Sequence, residues 1–267
     1  MTDDGINVGM PPWKIAGQEQ LLPGASIEQR WELARSAGLD GIELRARSGE
    51  ALEARFDVLH RAVGRGVVLP SVCLDVLPLA GDAERGAEAL GQMSSRLGPI
   101  AALGVGVVVV PVSGTRRVPV PRSSTEDPGT LLDGLRLLSE RAAREGVSVC
   151  LQPVNRYEGD QVNTLAQAAE LCRAVGVPSA RVAASTFHMN IEEADPAVAL
   201  LAAGPWLGHV ALADSNGLEP GAGHVDFAAV FAALDAGGYR GWTSLACRLS
   251  GPDVLPAAVG VLRQAGG

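Results

Sequence analysis

Short apolar runs alternate with longer amphipathic segments along the chain, and this alternation constrains the fold most. Runs rich in Val, Ile and Leu predict strands, whereas apolar residues that recur every three or four positions predict helices. Eight strands are predicted, at 6–9, 41–44, 67–76, 107–112, 147–152, 182–185, 209–213 and 242–247. Eight helices are predicted to follow them, at 26–37, 50–64, 83–102, 129–145, 163–175, 196–203, 226–237 and 253–264.

Eight strand–helix units in 267 residues match a (β/α)8 TIM barrel. A doubly wound open sheet is the alternative, but no GxGxxG turn follows the first predicted strand. Because no linker divides the chain, we expect residues 1–267 to form a single barrel domain. The predicted N-caps, whose side chains accept hydrogen bonds from the first helical turn, are Ser26, Asn163, Asp195, Asp226 and Asp253.

The composition excludes several classes of partner. Thirty acidic residues against 22 basic ones give a net charge of −8, which argues against nucleic-acid binding. The sequence has neither the run of about 18 apolar residues that a membrane span needs nor the pattern of a signal peptide. Four widely spaced cysteines without a CxxC pair predict reduced thiols. We expect a cytoplasmic protein with a small-molecule partner, and assembly into a homo-oligomer stays open.

Polar residues follow the predicted strands where a TIM barrel keeps its catalytic groups, at the carboxyl ends. Glu43 and Arg45 end the second strand, and later strands lead into Gln152, His188 and Arg248. The segment 113–128, which contains three arginines, follows the fourth strand. This position predicts either a lid or anion clamp over the barrel, or an ordinary solvated loop.

Five segments together resemble the sugar phosphate isomerase/epimerase family. They are LDGIELR (39–45), LQPVNRYEGDQVNT (151–164), STFHMNIEE (185–193), HVALADSNGLEPGAGHVDF (209–227) and GYRGWTSLACR (238–248). The resemblance implies the xylose isomerase-like TIM barrel, whose members include hydroxypyruvate isomerase and ketose 3-epimerases. It runs in order through almost the whole chain.

The resemblance also implies a divalent metal ion, which the family binds through two glutamates, an aspartate and a histidine. It places Gln152, Ser185, Ala211 and Ala246 at those four positions. A hard divalent cation needs several oxygen ligands, and alanine supplies none. We therefore expect neither a metal ion nor another cofactor.

Two residues at positions that contact the substrate in the family remain, namely Glu158 and His188. A histidine titrates at about pH 6.5 and suits acid–base catalysis. The sequence therefore predicts a metal-independent isomerase or lyase with His188 and Glu158 as catalytic residues. Its reaction would be isomerisation, elimination or cyclisation of a small carbonyl metabolite, in specialised metabolism. The alternative is a non-catalytic relative that binds a metabolite or a protein.

Six further residues are predicted to contact the substrate: Glu43, Gln152, Arg156, Ser185, Trp13 and Arg248. The two arginines are candidates to hold a carboxylate or phosphate, with ordinary ion pairs as the alternative. Trp13 and Lys14 are expected in the loop after the first strand. Cys73 is interpreted as a packing residue rather than a nucleophile, and His224 as a loop residue.

Overall fold

The computed structural model of the protein describes residues 13–48, 50–75, 77–78, 83–113, 128–159 and 161–267. The first barrel strand, β1, is Ile15–Gln18, and it pairs with two neighbouring strands. The prediction of the first barrel strand at 6–9 is wrong, because 15–18 occupies that place in the sheet. Residues 6–9 and most of the segment 113–128 lie outside the described residues.

Eight parallel strands close into a barrel. After β1 they are β2 Gly41–Arg45, β3 Ser71–Cys73, β4 Val107–Ser113, β5 Ser148–Pro153, β6 Ala180–Ser185, β7 Leu207–Leu212 and β8 Thr243–Leu245. β1 pairs with β8, and each other strand pairs with the next along the chain, so the sheet has no edge. This closure confirms the (β/α)8 prediction and excludes the open sheet. A two-residue strand, Leu77–Pro78, adds to β4.

Helices separate the strands and cover the outside of the barrel. They are α1 Ile27–Ser36, α2 Leu52–Gly64, α3 Ala83–Ala102, α4 Pro128–Arg144, α5 Leu165–Val175, α6 Thr186–Glu192, α7 Pro196–Ala203, α8 Phe227–Ala236 and α9 Leu255–Ala265. The sequence analysis did not predict α6, which begins directly after β6. Among the residues that the structure describes, no helix is both long and apolar enough to cross a membrane.

The helix caps follow the sequence at three of five predicted positions. Ser26, Asp195 and Asp226 each accept a backbone hydrogen bond from the first turn. The predicted caps Asn163 and Asp253 are wrong. Thr164 caps α5 in a capping box with Gln167, and α9 begins after Val254 without a side-chain cap.

Alternate residues of each strand enter two different packing layers. On β4, Val108, Val110 and Val112 pack against the helices as part of the large outer core. Val109 faces the barrel axis, where it contacts Cys73, Cys150 and Ala183 in a separate inner cluster. This period of two decides which side chains can reach the barrel opening.

Gly208 stands at a point of close approach inside the barrel. The pairing of β6 with β7 shifts register between Leu207 and His209, around this glycine. A Cβ at position 208 would lie 2.6 Å from Cys150 Sγ and 2.7 Å from Arg181 Cβ. Only glycine fits this bulge without displacing its neighbours.

Candidate active site

The carboxyl ends of β5 to β8 carry four side chains on the inner face of the barrel. They are Gln152, Ser185, Ala211 and Ala246. Ser185 and Ala211 are register partners and are 7% and 5% exposed. Gln152 and Ala246 are half-buried. These residues border the opening at the carboxyl ends of the strands, which we call the mouth.

The four residues do not fit the divalent cation that the family resemblance implies. Gln152 and Ser185 offer neutral oxygens, and Ala211 and Ala246 offer methyl groups. Binding a hard cation takes several oxygen ligands, usually with carboxylates among them. Elsewhere in the described residues, no group of three or more His, Cys, Asp or Glu side chains is placed to hold a metal.

His188, on α6, is joined to Glu158 through Asn155. The backbone N–H of Asn155 donates to His188 Nδ1 at 3.2 Å, and Asn155 Nδ2 lies 2.9 Å from the same nitrogen. Asn155 Nδ2 also donates to Glu158 Oε1 at 3.0 Å. Asn155 Oδ1 accepts from the backbone N–H of Tyr157, which fixes the orientation of the amide. The structure therefore brings the two predicted catalytic residues together.

The surroundings of His188 favour the neutral ring with its proton on Nε2. Burial lowers the pKa of His188, although the charges of Glu158 and Glu192 act in the opposite direction. Because Nδ1 accepts from Asn155, the proton of the neutral ring belongs on Nε2. His188 Nδ1 and Glu158 Oε1 are 3.9 Å apart, so the two side chains do not compete for one proton. A neutral imidazole in this state can donate a hydrogen bond to a substrate oxygen.

Asn155 is a site residue that the sequence analysis did not select. It lies between Gln152 and Glu158 in one of the segments that carry the family resemblance. It is 2% exposed, and its side chain contacts both predicted catalytic residues. The signal available in the sequence was an amide residue two positions after the end of a strand, within a segment that carries the family resemblance. The structure adds its burial, and a buried amide needs specific partners.

Arg156 already has a partner within the protein. Its Nε and Nη2 donate to the two carboxylate oxygens of Glu192 at 2.9 and 2.8 Å. The backbone N–H of Arg156 donates to the same carboxylate at 2.7 Å. A substrate contact of Arg156 stays a prediction, and this bidentate ion pair would have to open for it.

Glu43 lies inside the barrel, so its predicted place at the mouth is wrong. Its carboxylate accepts from Gln18 Nε2 and Ser71 Oγ, both at 2.7 Å, and lies 2.8 Å from His209 Nε2. Burial alone would raise the pKa of Glu43, but the charge of His209 and these hydrogen bonds lower it. The side chain is 1% exposed and its acceptors are engaged, which indicates a structural role.

Trp13 lies at the opposite end of the barrel from the mouth, so its predicted place after the first strand is wrong. It precedes β1, and its ring centroid is 5.2 Å from that of Phe231 and 6.3 Å from that of Tyr239. Lys14 also precedes β1, with Nζ 5.5 Å from the Trp242 ring centre. The predicted places of Trp13 and Lys14 are wrong because the first strand was predicted at 6–9 and lies at Ile15–Gln18.

The remaining candidates differ in exposure. Arg248, after β8, is exposed, and its side chain has no hydrogen-bond or ionic partner among the described residues. Cys73 is buried, and burial raises the pKa of its thiol to about 12, so it is not an activated nucleophile. His224 Nδ1 lies 2.9 Å from Ser215 Oγ within the loop between β7 and α8.

The closed barrel, with polar groups at the carboxyl ends of its strands, defines a protein with the architecture of TIM-barrel enzymes. The sequence profile of the xylose isomerase-like TIM barrel matches residues 31–265. The chain belongs to this family.

Sugar epimerases are similar to the chain over most of its length. The 3-dehydro-D-guloside 4-epimerase of Escherichia coli (strain K12) is 32% identical over 253 residues, 91% of this chain and 95% of that protein. The L-ribulose 3-epimerase of Methylomonas sp. (strain DH-1) is 30% identical over 245 residues, 86% and 78% of the two chains. The crystal structure of apo 3-keto-D-glucoside 4-epimerase from E. coli has a TM-score of 0.85 at 31% identity, covering 94% of this chain and 99% of that chain.

Proposed function

We propose that the protein is a metal-independent enzyme in which His188 and Glu158 move protons on a small carbonyl metabolite. The arrangement of His188, Asn155 and Glu158 at the mouth carries the proposal, since it holds a neutral imidazole beside a carboxylate. The four positions that the family resemblance assigns to metal ligands hold no carboxylate or histidine. Developing charge on the substrate must therefore be stabilised by the protein's own groups.

The two side chains take different roles in the proposed reaction. His188 Nε2–H donates to the carbonyl oxygen, and the Glu158 carboxylate removes a proton from the adjacent carbon. The C–H electron pair forms an enolate, whose negative oxygen the His188 donor stabilises. In an α-hydroxy carbonyl substrate, the hydroxyl proton passes to the enolate oxygen, and Glu158 returns the abstracted proton to the former carbonyl carbon, which completes an isomerisation. In a substrate with a leaving group on the β-carbon, expulsion of that group with its electron pair completes an elimination. One such donor contributes about 10² to 10³ in rate, and one positioned base about 10² to 10⁴.

The rest of the mouth suits a substrate with fewer polar contacts than a metal-bound sugar. Ala211 and Ala246 present methyl groups to it, and Gln152 offers hydrogen bonds without basicity. We propose Gln152, Ser185 and Arg248 as the groups that contact the substrate. The names of the relatives, a guloside epimerase and a ribulose epimerase, support a substrate derived from a sugar.

Proton exchange tests the proposal before the product is known. The protein is incubated in D2O with ketoses and 3-keto glycosides, and deuterium at carbons next to the carbonyl is followed by NMR. We expect His188→Gln and Glu158→Gln each to slow exchange at least about 100-fold while the melting temperature stays nearly constant. His60→Gln, at an exposed position of α2, is the matched control and keeps full activity.

Two outcomes would contradict the proposal. Full exchange in both variants would remove His188 and Glu158 from the mechanism. Binding of the carbonyl compounds without exchange by the unmodified protein would instead favour the non-catalytic alternative.

A further inference from the structure

Arg45 ends β2 on the strand face that points into the barrel. Glu43, two residues earlier, reaches Ser71 and His209 in the interior, while Leu44 between them is buried in the outer core. By this alternation the Arg45 side chain lies on the inner side, one layer above Glu43. Its register partner on β3 is Cys73, a member of the inner cluster. Arg45 is half-buried, as expected for a residue at the rim of the mouth.

The Arg45 guanidinium has no hydrogen-bond or ionic partner among the described residues. The backbone N–H of Arg45 donates to Glu19 Oε1 at 2.8 Å. The carboxylates nearby have other partners. Arg30 and Arg55 pair with Glu19, and Arg96 pairs with Asp75. Gln18, Ser71 and His209 surround Glu43. The charge of Arg45 acts on the Cys73 thiol, whose pKa burial raises and Arg45 lowers. Among the described residues, the Arg45 guanidinium thus lies beside the inner cluster without an ion-pair partner.

Arg45 and the predicted catalytic histidine lie on opposite sides of the mouth. β6, which leads into His188 and Glu192, stands four strands away from β2, which Arg45 ends. Arg248 follows β8, which stands two strands from both β2 and β6. Arg248, like Arg45, has no side-chain partner among the described residues. His188 and Arg45 therefore face each other across the opening.

We propose that the mouth binds its substrate through an anionic group, a carboxylate or phosphate, that pairs with the Arg45 guanidinium. The inference rests on the proposed function and names its substrate class, a sugar-sized carbonyl compound with an acidic group several bonds from the reacting carbon. A partly desolvated guanidinium without a partner is unfavourable in the free protein, and two oxygens of a carboxylate or phosphate satisfy it with two parallel hydrogen bonds. Arg248, after β8, contributes further positive charge at the mouth.

Calorimetric titration with three sugars of similar size tests the proposal. D-glucuronate carries a carboxylate, D-glucose 6-phosphate carries a phosphate, and D-glucose is neutral. We expect one of the two anions to bind at least about tenfold more tightly than D-glucose. Which anion binds more tightly identifies the acidic group. Arg45→Gln should abolish the preference, and Arg45→Lys should retain part of it.

The control is Arg61→Gln, which removes the same charge from the last turn of α2 and leaves the preference unchanged. Equal binding of both anions and D-glucose by the unmodified protein would overturn the inference without any variant. A preference for an anionic sugar over D-glucose that persists in a folded Arg45→Gln protein would also overturn the inference. Anion binding at Arg45 without proton exchange on any substrate would contradict only the proposed function. Exchange on neutral ketoses with no anion preference would contradict only the inference.

Discussion

At the scale of single residues, Glu43 explains how the barrel interior holds a carboxylate. Three side chains, Gln18, Ser71 and His209, surround its two oxygens at 2.7 to 2.8 Å. These partners come from β1, β3 and β7, so the carboxylate links strands that are distant along the chain. A buried network of this kind stabilises the fold only while all its members are satisfied.

We expect Glu43→Ala to lower the free energy of unfolding by about 3 kcal/mol, because it leaves three buried polar groups without their acceptor. Urea denaturation followed by circular dichroism measures the change. The control is Glu28→Ala, which removes a partly exposed carboxylate paired with Arg65 and should change stability far less. A Glu43 variant as stable as the Glu28 variant would show that the network does not support the fold.

The lowered pKa of His188 predicts the pH dependence of the proposed reaction. The pKa of His188 in the folded protein lies below 6.5, so its ring stays neutral at about pH 7 to 8 and becomes charged only on acidification. The rate of deuterium exchange should therefore fall as pH decreases below 6.5. Glu192→Gln removes a charge that raises this pKa and should move the fall to lower pH. Loss of exchange that begins above about pH 7 would contradict the assignment.

At the scale of secondary structure, hydrophobic periodicity predicted most strands and helices. The prediction failed where two neighbouring segments fit the same role equally well in the sequence. Residues 6–9 and 15–18 are both short apolar runs, and only pairing with β2 and β8 distinguishes the strand. Asn163 and Thr164 are both good caps, but Asn163 Nδ2 donates to the Val154 and Gly159 carbonyls. The sequence analysis did not predict α6, because this helix is too short to show the repeat of apolar residues that indicates a helix.

Gly208 offers a test of packing at this scale. Gly208→Ala should lower the free energy of unfolding by about 1 to 3 kcal/mol, because the new Cβ would overlap Cys150 and Arg181. Gly106→Ala is the control, since a Cβ at that position meets no atom within 4 Å. Thermal denaturation of the two variants gives the comparison. Equal melting temperatures would mean that the register shift in β7 absorbs the methyl group.

At the scale of the whole molecule, the mouth should not bind a divalent cation. A ligand that binds only the folded state raises stability by about 2.7 kcal/mol at 100 times its dissociation constant. We therefore expect 1 mM Mn²⁺, as well as EDTA, to leave the melting temperature of the unmodified protein unchanged. The combined variant Gln152→Glu, Ser185→Asp, Ala211→His and Ala246→Glu restores the family's donors and should gain a Mn²⁺-dependent increase. A similar increase in the unmodified protein would contradict the prediction.

The sequence by itself determined the barrel, because eight repeats of strand and helix have one closed parallel arrangement that buries both faces of every strand. The resemblance to family positions also predicted His188 and Glu158 as catalytic residues. Only the tertiary structure decided which polar groups are available at the mouth. It placed Glu43 in the interior and Arg156 in an ion pair with Glu192. It placed Arg45 at the rim, where its side chain has no partner among the described residues. The reason is that the availability of a polar group depends on its partners, and those partners come from strands far apart in the chain.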